Sequence, residues 1–381
     1  MMLSFFSPHT RKLAIGFNAK TNNSLVGLLI LTAIFVLGAC KSETTTSTFH
    51  PVLTESKHQA LLLKSNRAIL NLDYVTLEAL LTQIDVNRLL PDNSSLLAWA
   101  VETQEPRLVE LLLKKGARVA LPNSNRFTPL VQACRYGNSA IINALLDHQA
   151  DPNSTIEDGT SAFHLCAGSA LTRDLKRMIA MGADIHKPNE YGQTAIMWAA
   201  NYANANNLRY LASQGADINQ QTSQGYSPLF FAIKSHDLNT VQTAISLGAD
   251  LLAKAKDGTS AAQLSVYTHN YEFLTWFVKQ LDVLMKPESA QNVLAAFDRN
   301  GHQLLHAATL ANQSKLVSAL LAKGADPTVT GAPSRLTWRY EANFKTEDYI
   351  PPQLSPIEIA EQQDFQDILS MLKGKLDTQE I

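Results

Sequence analysis

Cysteine is scarce in this chain, with three residues in 381, at Cys40, Cys134 and Cys166. That excludes a fold held by a dense disulfide framework and any Cys-rich zinc module. An excess of one charge is also missing: 32 Lys and Arg stand against 34 Asp and Glu, for a net charge of −2 and a pI near 6.6. The overall balance gives no reason to expect nucleic acid or a broadly acidic surface as partner. No Gly-rich phosphate loop follows a strand pattern, and no nucleophile motif or pair of catalytic carboxylates stands out. His302 and His306 have an i, i+4 spacing, but Gly301-His302 reads as a turn, so neither a metal nor another cofactor is expected. Apolar runs stop short of the roughly 18 residues needed to span a bilayer.

What the chain does have is a period. Gly116-Ala117-Arg118, Gln149-Ala150-Asp151, Gly182-Ala183-Asp184, Gly215-Ala216-Asp217 and Gly248-Ala249-Asp250 recur every 33 residues, and Gly324-Ala325-Asp326 closes the series. Ser95, Thr128, Ser161, Thr194, Ser227 and Ser260 run at the same spacing and open apolar stretches. Two markers in one register predict stacked repeats of a single supersecondary unit. A hydroxyl at each opening position can cap a helix by accepting from a backbone N–H two or three residues on, and Pro129 and Pro228 suit the first helical position. Small residues such as Ala133, Cys166, Ala167, Ala199, Ala200, Ala232, Ala307 and Ala308 predict closely spaced first helices. Leu112, Leu113, Leu145, Leu146, Ile179, Leu211, Ile245, Phe277, Leu320 and Leu321 predict the core contribution of the second helices. Cys134 and Cys166 fall in adjacent first helices. They could pair only if their Cα atoms came within about 7 Å, and buried free thiols in place of alanine are expected.

The openings Thr128-Pro129-Leu130-Val131, Ser161-Ala162-Phe163-His164, Ser227-Pro228-Leu229-Phe230 and Gln303-Leu304-Leu305-His306, with the Gly-Ala-Asp exits, resemble the ankyrin-repeat family over roughly residues 57–372. The resemblance implies an all-α solenoid of helix-turn-helix units with β-turn or hairpin tips, about nine units including caps. It also implies that His164 and His306 hydrogen-bond between repeats. The repeat domain is placed at 57–375, with a tail at 376–381. Residues 58–89 read as a first unit whose polar outer face suits a terminal cap. Two stretches break the period, ten extra residues near 282–300 and nineteen near 328–354, and both are expected to be loops.

Ankyrin-like stacks imply a concave face lined by turn tips and the exposed ends of the first helices. Read by phase, those positions are Phe127, Arg135, Tyr136, Tyr191, Tyr202, Tyr226, Lys234 and Tyr267. Tyrosine gives a large rigid contact with a polar tip, which suits recognition. The aromatic and arginine residues Trp338, Arg339 and Tyr340 in the second insertion extend the candidate surface. Trp99, Trp198 and Phe231 take a different phase and are expected to pack between helices.

The N-terminus carries a separate signal. Arg11, Lys12 and Lys20 precede an apolar core from Leu25 to Val36, and Leu37-Gly38-Ala39-Cys40 resembles the lipobox of bacterial lipoproteins. The resemblance implies a signal peptide at 1–39, acylation of Cys40, and a Ser/Thr-rich tether at 40–56. An ordinary signal peptide or an uncleaved anchor with an incidental cysteine is the alternative. Lys41 resembles the sorting position of outer-membrane lipoproteins, so a periplasm-facing outer-membrane location is expected. Together these features lead to a monomeric, membrane-tethered, non-enzymatic module that binds another protein. Exported ankyrin lipoproteins resemble immunity proteins that occlude antibacterial phospholipase effectors. A periplasmic accessory to a catalase in peroxide defence is the alternative, and an enzyme with a site in the 328–354 insertion is a third reading.

Overall fold

The computed structural model describes residues 55–123, 125–333 and 353–377. The lipobox-like stretch with Cys40, the expected tether up to residue 54, and Trp338, Arg339 and Tyr340 lie outside the described residues, while Glu55 and Ser56, expected in the tether, open the first helix. Within them the chain is all-helical, with two isolated β-bridges, Thr155 to Ser161 and Lys254 to Ser260, at the turn tips.

Eighteen helices form nine antiparallel pairs that stack side by side. The pairs are α1 (Glu55–Leu70) with α2 (Tyr74–Leu80), α3 (Leu96–Glu102) with α4 (Pro106–Lys114), and α5 (Pro129–Tyr136) with α6 (Ser139–Asp147). Next come α7 (Ala162–Ser169) with α8 (Thr172–Ala180), α9 (Ala195–Asn201) with α10 (Ala205–Ser213), and α11 (Pro228–Lys234) with α12 (Leu238–Ser246). α13 (Ala261–Tyr267) pairs with α14 (Tyr271–Lys279). The 282–300 region follows as α15 (Leu281–Leu284) and α16 (Pro287–Ala295). α17 (Leu304–Leu310) with α18 (Ser314–Ala322), and α19 (Pro356–Gln362) with α20 (Gln366–Asp377), complete the stack.

Helix starts follow the periodic hydroxyls only in part. Ser95, Thr128, Ser161 and Ser260 each accept from the backbone N–H three residues on, whereas Thr194 and Ser227 make no such bond. The second helices carry their own caps, again 33 or 66 residues apart: Asn138, Asn204, Asp237 and Asn270 accept from Ile141, Asn207, Thr240 and Phe273. The residue before each of these caps, Gly137, Ala203, His236 or His269, has a left-handed φ of 57° to 71°. That backbone turn is what folds the second helix back on the first.

Neighbouring units are stitched through side chains as well as packing. The ring of His164 takes the N–H of Ser161 on Nδ1 at 3.1 Å and reaches the Gln193 carbonyl from Nε2 at 3.1 Å, and burial lowers its pKa. Asn87, Asn153 and Asn219 each donate to the exit-glycine carbonyl of the following unit and accept an N–H two residues beyond it. The expected second-helix leucines are buried, Phe163, Phe230, Phe273 and Phe277 fill the largest fully buried positions, and Ile179 and Ile245 are only partly covered.

Three expectations are corrected. The 282–300 region is not a free loop: α15 and α16 bury Leu281, Ala290 and Leu294, Gln303 Nε2 donates to the Ala295 carbonyl at 3.0 Å, and Lys323 pairs with Asp282. Apolar side chains at helical spacing found a place on the flank of the stack. The thiols of Cys134 and Cys166 are not free: the two residues form a disulfide across α5 and α7, with Cα atoms 4.5 Å apart. The outer face of the first unit is not polar throughout, since Leu63, Leu70, Leu72 and Val75 stand exposed on it.

Candidate binding face

The disulfide marks one close approach of neighbouring first helices, and the candidate face is described outward from that point. Gly137 closes α5 with φ 71°, and a Cβ there would lie 2.4 Å from the Ser169 carbonyl oxygen at the end of α7. Ser169 Oγ in turn donates to the Cys134 carbonyl. In the next gap, a Cβ on Gly168 would meet the Tyr202 ring at 2.9 Å. Small residues at 137, 168 and 169 therefore let the ends of α5, α7 and α9 converge, and the large side chains flanking them form the surface.

Those side chains mostly engage one another. The Arg135 guanidinium lies 5.5 Å over the Phe127 ring, which itself packs on the core. Tyr136 is half exposed and donates its hydroxyl to Glu102 Oε2 of the preceding unit at 2.5 Å. Burial, reinforced by that carboxylate, pushes its phenol up to about 12. Tyr202 stacks on Trp198, centroids 5.8 Å apart and planes 12° from parallel, and burial raises its pKa. Trp198 packs on the core, as its phase predicts, and offers a ring face to Tyr202. Lys234 Nζ lies 5.6 Å over the buried Phe231 ring, and Tyr226 packs against Phe230 at 5.7 Å. The Arg299 guanidinium lies 4.2 Å over Tyr267, and the Arg299 N–H donates to the Tyr267 hydroxyl at 3.3 Å. Burial raises that phenol too. These phenols remain neutral donors at physiological pH.

The structure does not gather the predicted residues into one pocket. It sets them in a broken row of turn tips and first-helix ends on the units of α5, α9, α11 and α13, one to three to a unit, and the unit of α7 contributes none. Tyr191 differs from the others: its backbone is fixed, with the N–H on Asn189 Oδ1 at 3.1 Å and the carbonyl taking the Ser223 N–H at 3.3 Å, while the residue is 57% exposed. It is a rigidly mounted ring facing solvent. Sequence reasoning missed Arg299 and Glu102, which act as partners of Tyr267 and Tyr136; both lie 32 to 34 residues from the tyrosine they serve, the separation that marks neighbouring units.

Among the described residues, no group of three or more His, Cys, Asp or Glu could hold a metal ion. His302 and His306 stack ring on ring, centroids 5.8 Å apart, and His306 Nδ1 accepts the Gln303 N–H at 3.3 Å. Burial, with the adjacent His302, lowers His306 to about 4.

The model for ankyrin repeats (3 copies) matches residues 66–156 and 163–255. Zygote-specific protein 3 of Chlamydomonas reinhardtii is 32% identical over 161 residues, which cover 42% of this chain. The matched region spans 39% of the length of that relative. Among solved structures, the human ASB11 ankyrin repeat domain is 23% identical, covering 52% of this chain and 90% of its own, with a TM-score of 0.47.

Proposed function

We propose that this chain, whose residues 66–156 and 163–255 match the model for ankyrin repeats, acts as a lipid-tethered binding protein in a bacterial envelope, holding its partner along the row from Phe127 to Tyr267. The observation that carries the reading is the row itself. Pre-stacked aromatic and cationic side chains lose little conformational freedom when a partner covers them, which is the economy that recognition surfaces share. The Cys134–Cys166 disulfide supports an exported location, because such bonds persist in oxidising compartments. Its bearing on the compartment is independent of the lipobox at Cys40.

A partner of this kind is held by occlusion or positioning, with no bond chemistry required of the repeats. An immunity role against a phospholipase effector is the specific form we put forward, with the stack covering the mouth of the toxin's active site; docking of a catalase is the alternative. Affinity capture with residues 41–381 from envelope extract tests the pair. Recovery of a lipase together with protection of cells against it supports immunity; recovery of a catalase with altered peroxide sensitivity on deletion transfers the reading to a scaffold. Capture that survives Tyr191→Ala combined with Arg135→Glu unchanged would remove the row as the binding face.

A further inference from the structure

The first helix pair presents an unusual end to the solenoid. Terminal units need a polar outer face to stay soluble, yet five of the fourteen large hydrophobic residues exposed among the described residues lie in this unit: Leu63, Leu70, Leu72, Val75 and Leu89. Leu70, at the end of α1, is 51% exposed, Leu72 in the turn 46%, and Val75 in the first turn of α2 82%. Spacing along α1 places Leu63, Lys64, Arg67 and Leu70 on one stripe, opposite the buried Leu62, Ser65 and Ile69. Lys57 is exposed on the same helix. None of these three cations joins an ion pair among the described residues, and the one acid of α1, Glu55, is held by Arg88. The first helix thus carries a cationic stripe edged with leucine, while Asp73 and Glu78 stand exposed beside Val75 on the turn and on α2.

We propose that this end face docks on an anionic phospholipid bilayer, with Lys57, Lys64 and Arg67 at the phosphates and Leu63, Leu70, Leu72 and Val75 in the headgroup–acyl boundary. Basic residues near such a surface are drawn to it and apolar side chains bury in its interface. The length of the preceding segment fits the occupant. From Lys41 to the start of α1 at Glu55 lie fourteen residues, at most about 50 Å of fully extended chain, so an acyl chain at Cys40 would keep this unit, before all others, within reach of the lipid. That last step rests on the tether reading; the patch does not. Docking would orient the solenoid by its first unit and leave the row from Phe127 to Tyr267 in later units for the partner.

The test uses residues 41–381, which retain every described helix and lack the acylated cysteine, so it reads the patch alone. Flotation with vesicles of phosphatidylglycerol and phosphatidylcholine should carry the protein upward, and vesicles of phosphatidylcholine alone should carry little. Lys64→Glu with Arg67→Glu should lower partitioning about ten-fold or more, and Leu70→Ser with Leu72→Ser should lower it comparably, with circular dichroism unchanged. No flotation, equal flotation with neutral vesicles, or flotation indifferent to both pairs of substitutions would overturn the proposal. So would a dimer in sedimentation that the same substitutions dissociate, since the face would then meet a second copy of the chain. The mass of the chain extracted from envelopes reports acylation separately, so failure of the tether and failure of the patch are distinguishable.

Discussion

At Gly137 the backbone is left-handed, and the space where a Cβ would stand is taken by the Ser169 carbonyl 2.4 Å away. Gly137→Ala should therefore cost about 2 to 4 kcal/mol, the sum of left-handed strain and overlap with backbone that cannot rotate aside; urea denaturation measures it. The neighbouring disulfide closes a loop of sequence separation 32, and loop entropy alone makes it worth about 3 to 4 kcal/mol. Cys134→Ala with Cys166→Ala should lower the urea midpoint accordingly, and reductant should shift the midpoint of the wild type but not of that variant. His306 has the opposite character to an ion-paired group. Its folded pKa lies near 4, below the ordinary 6.5, so between those values the unfolded chain takes a proton that the folded chain refuses. Stability from this residue is complete above about pH 6.5 and is lost as pH falls towards 4. By pH 5 the loss should reach on the order of 2 kcal/mol. His306→Asn should flatten that slope in equilibrium unfolding across pH 4.5 to 7.5.

At the scale of the helix, each unit depends on its neighbours more than on its own propensity. The helices of the central units run only seven to nine residues, too short to persist alone in water, and are held by capping, by the turn between them and by burial on both sides. Leu211 is fully buried within α10. Leu211→Pro removes a backbone donor and clashes with the preceding turn, for a cost of about 3 kcal/mol or more. Because contact is with nearest neighbours, amide exchange should accelerate in α8 and α12 as well as α10 and fall off with distance along the stack. Uniform acceleration over the whole chain would mean that the units unfold as one. The two kinds of tyrosine separate at this scale. Tyr202→Ala strips a ring from Trp198 and from the gap over Gly168, so it should lower the urea midpoint as well as binding. Tyr191→Ala should leave the midpoint within about 0.5 kcal/mol and weaken binding alone.

For the whole molecule, the proposed reading gives partner binding to the row and membrane docking to the end face. The row is spread over several units, so its reach grows with repeat number, whereas the end face belongs to the first unit among the described residues. Affinity for a partner should therefore decline stepwise as substitutions accumulate along the row, and vesicle association should be untouched by them. Binding titrations and flotation on the same variants read the two surfaces independently.

The 33-residue register, the small residues of the first helices and the large ones of the second determined the solenoid and its number of units, because each position sees the same local surroundings in every repeat. Register also selected the residues that line the row, since turn tips and first-helix ends recur at fixed phases. It could not decide their contacts. Whether Tyr136 finds Glu102, whether Arg299 covers Tyr267, and whether Cys134 meets Cys166 depend on distances between units, and those distances are set by packing across the gap. The same holds where apolar residues of the 282–300 region find a flank to bury against, and where those of the first unit find none among the described residues. A sequence states which side chains are apolar; only the folded stack determines which of them lack a neighbour.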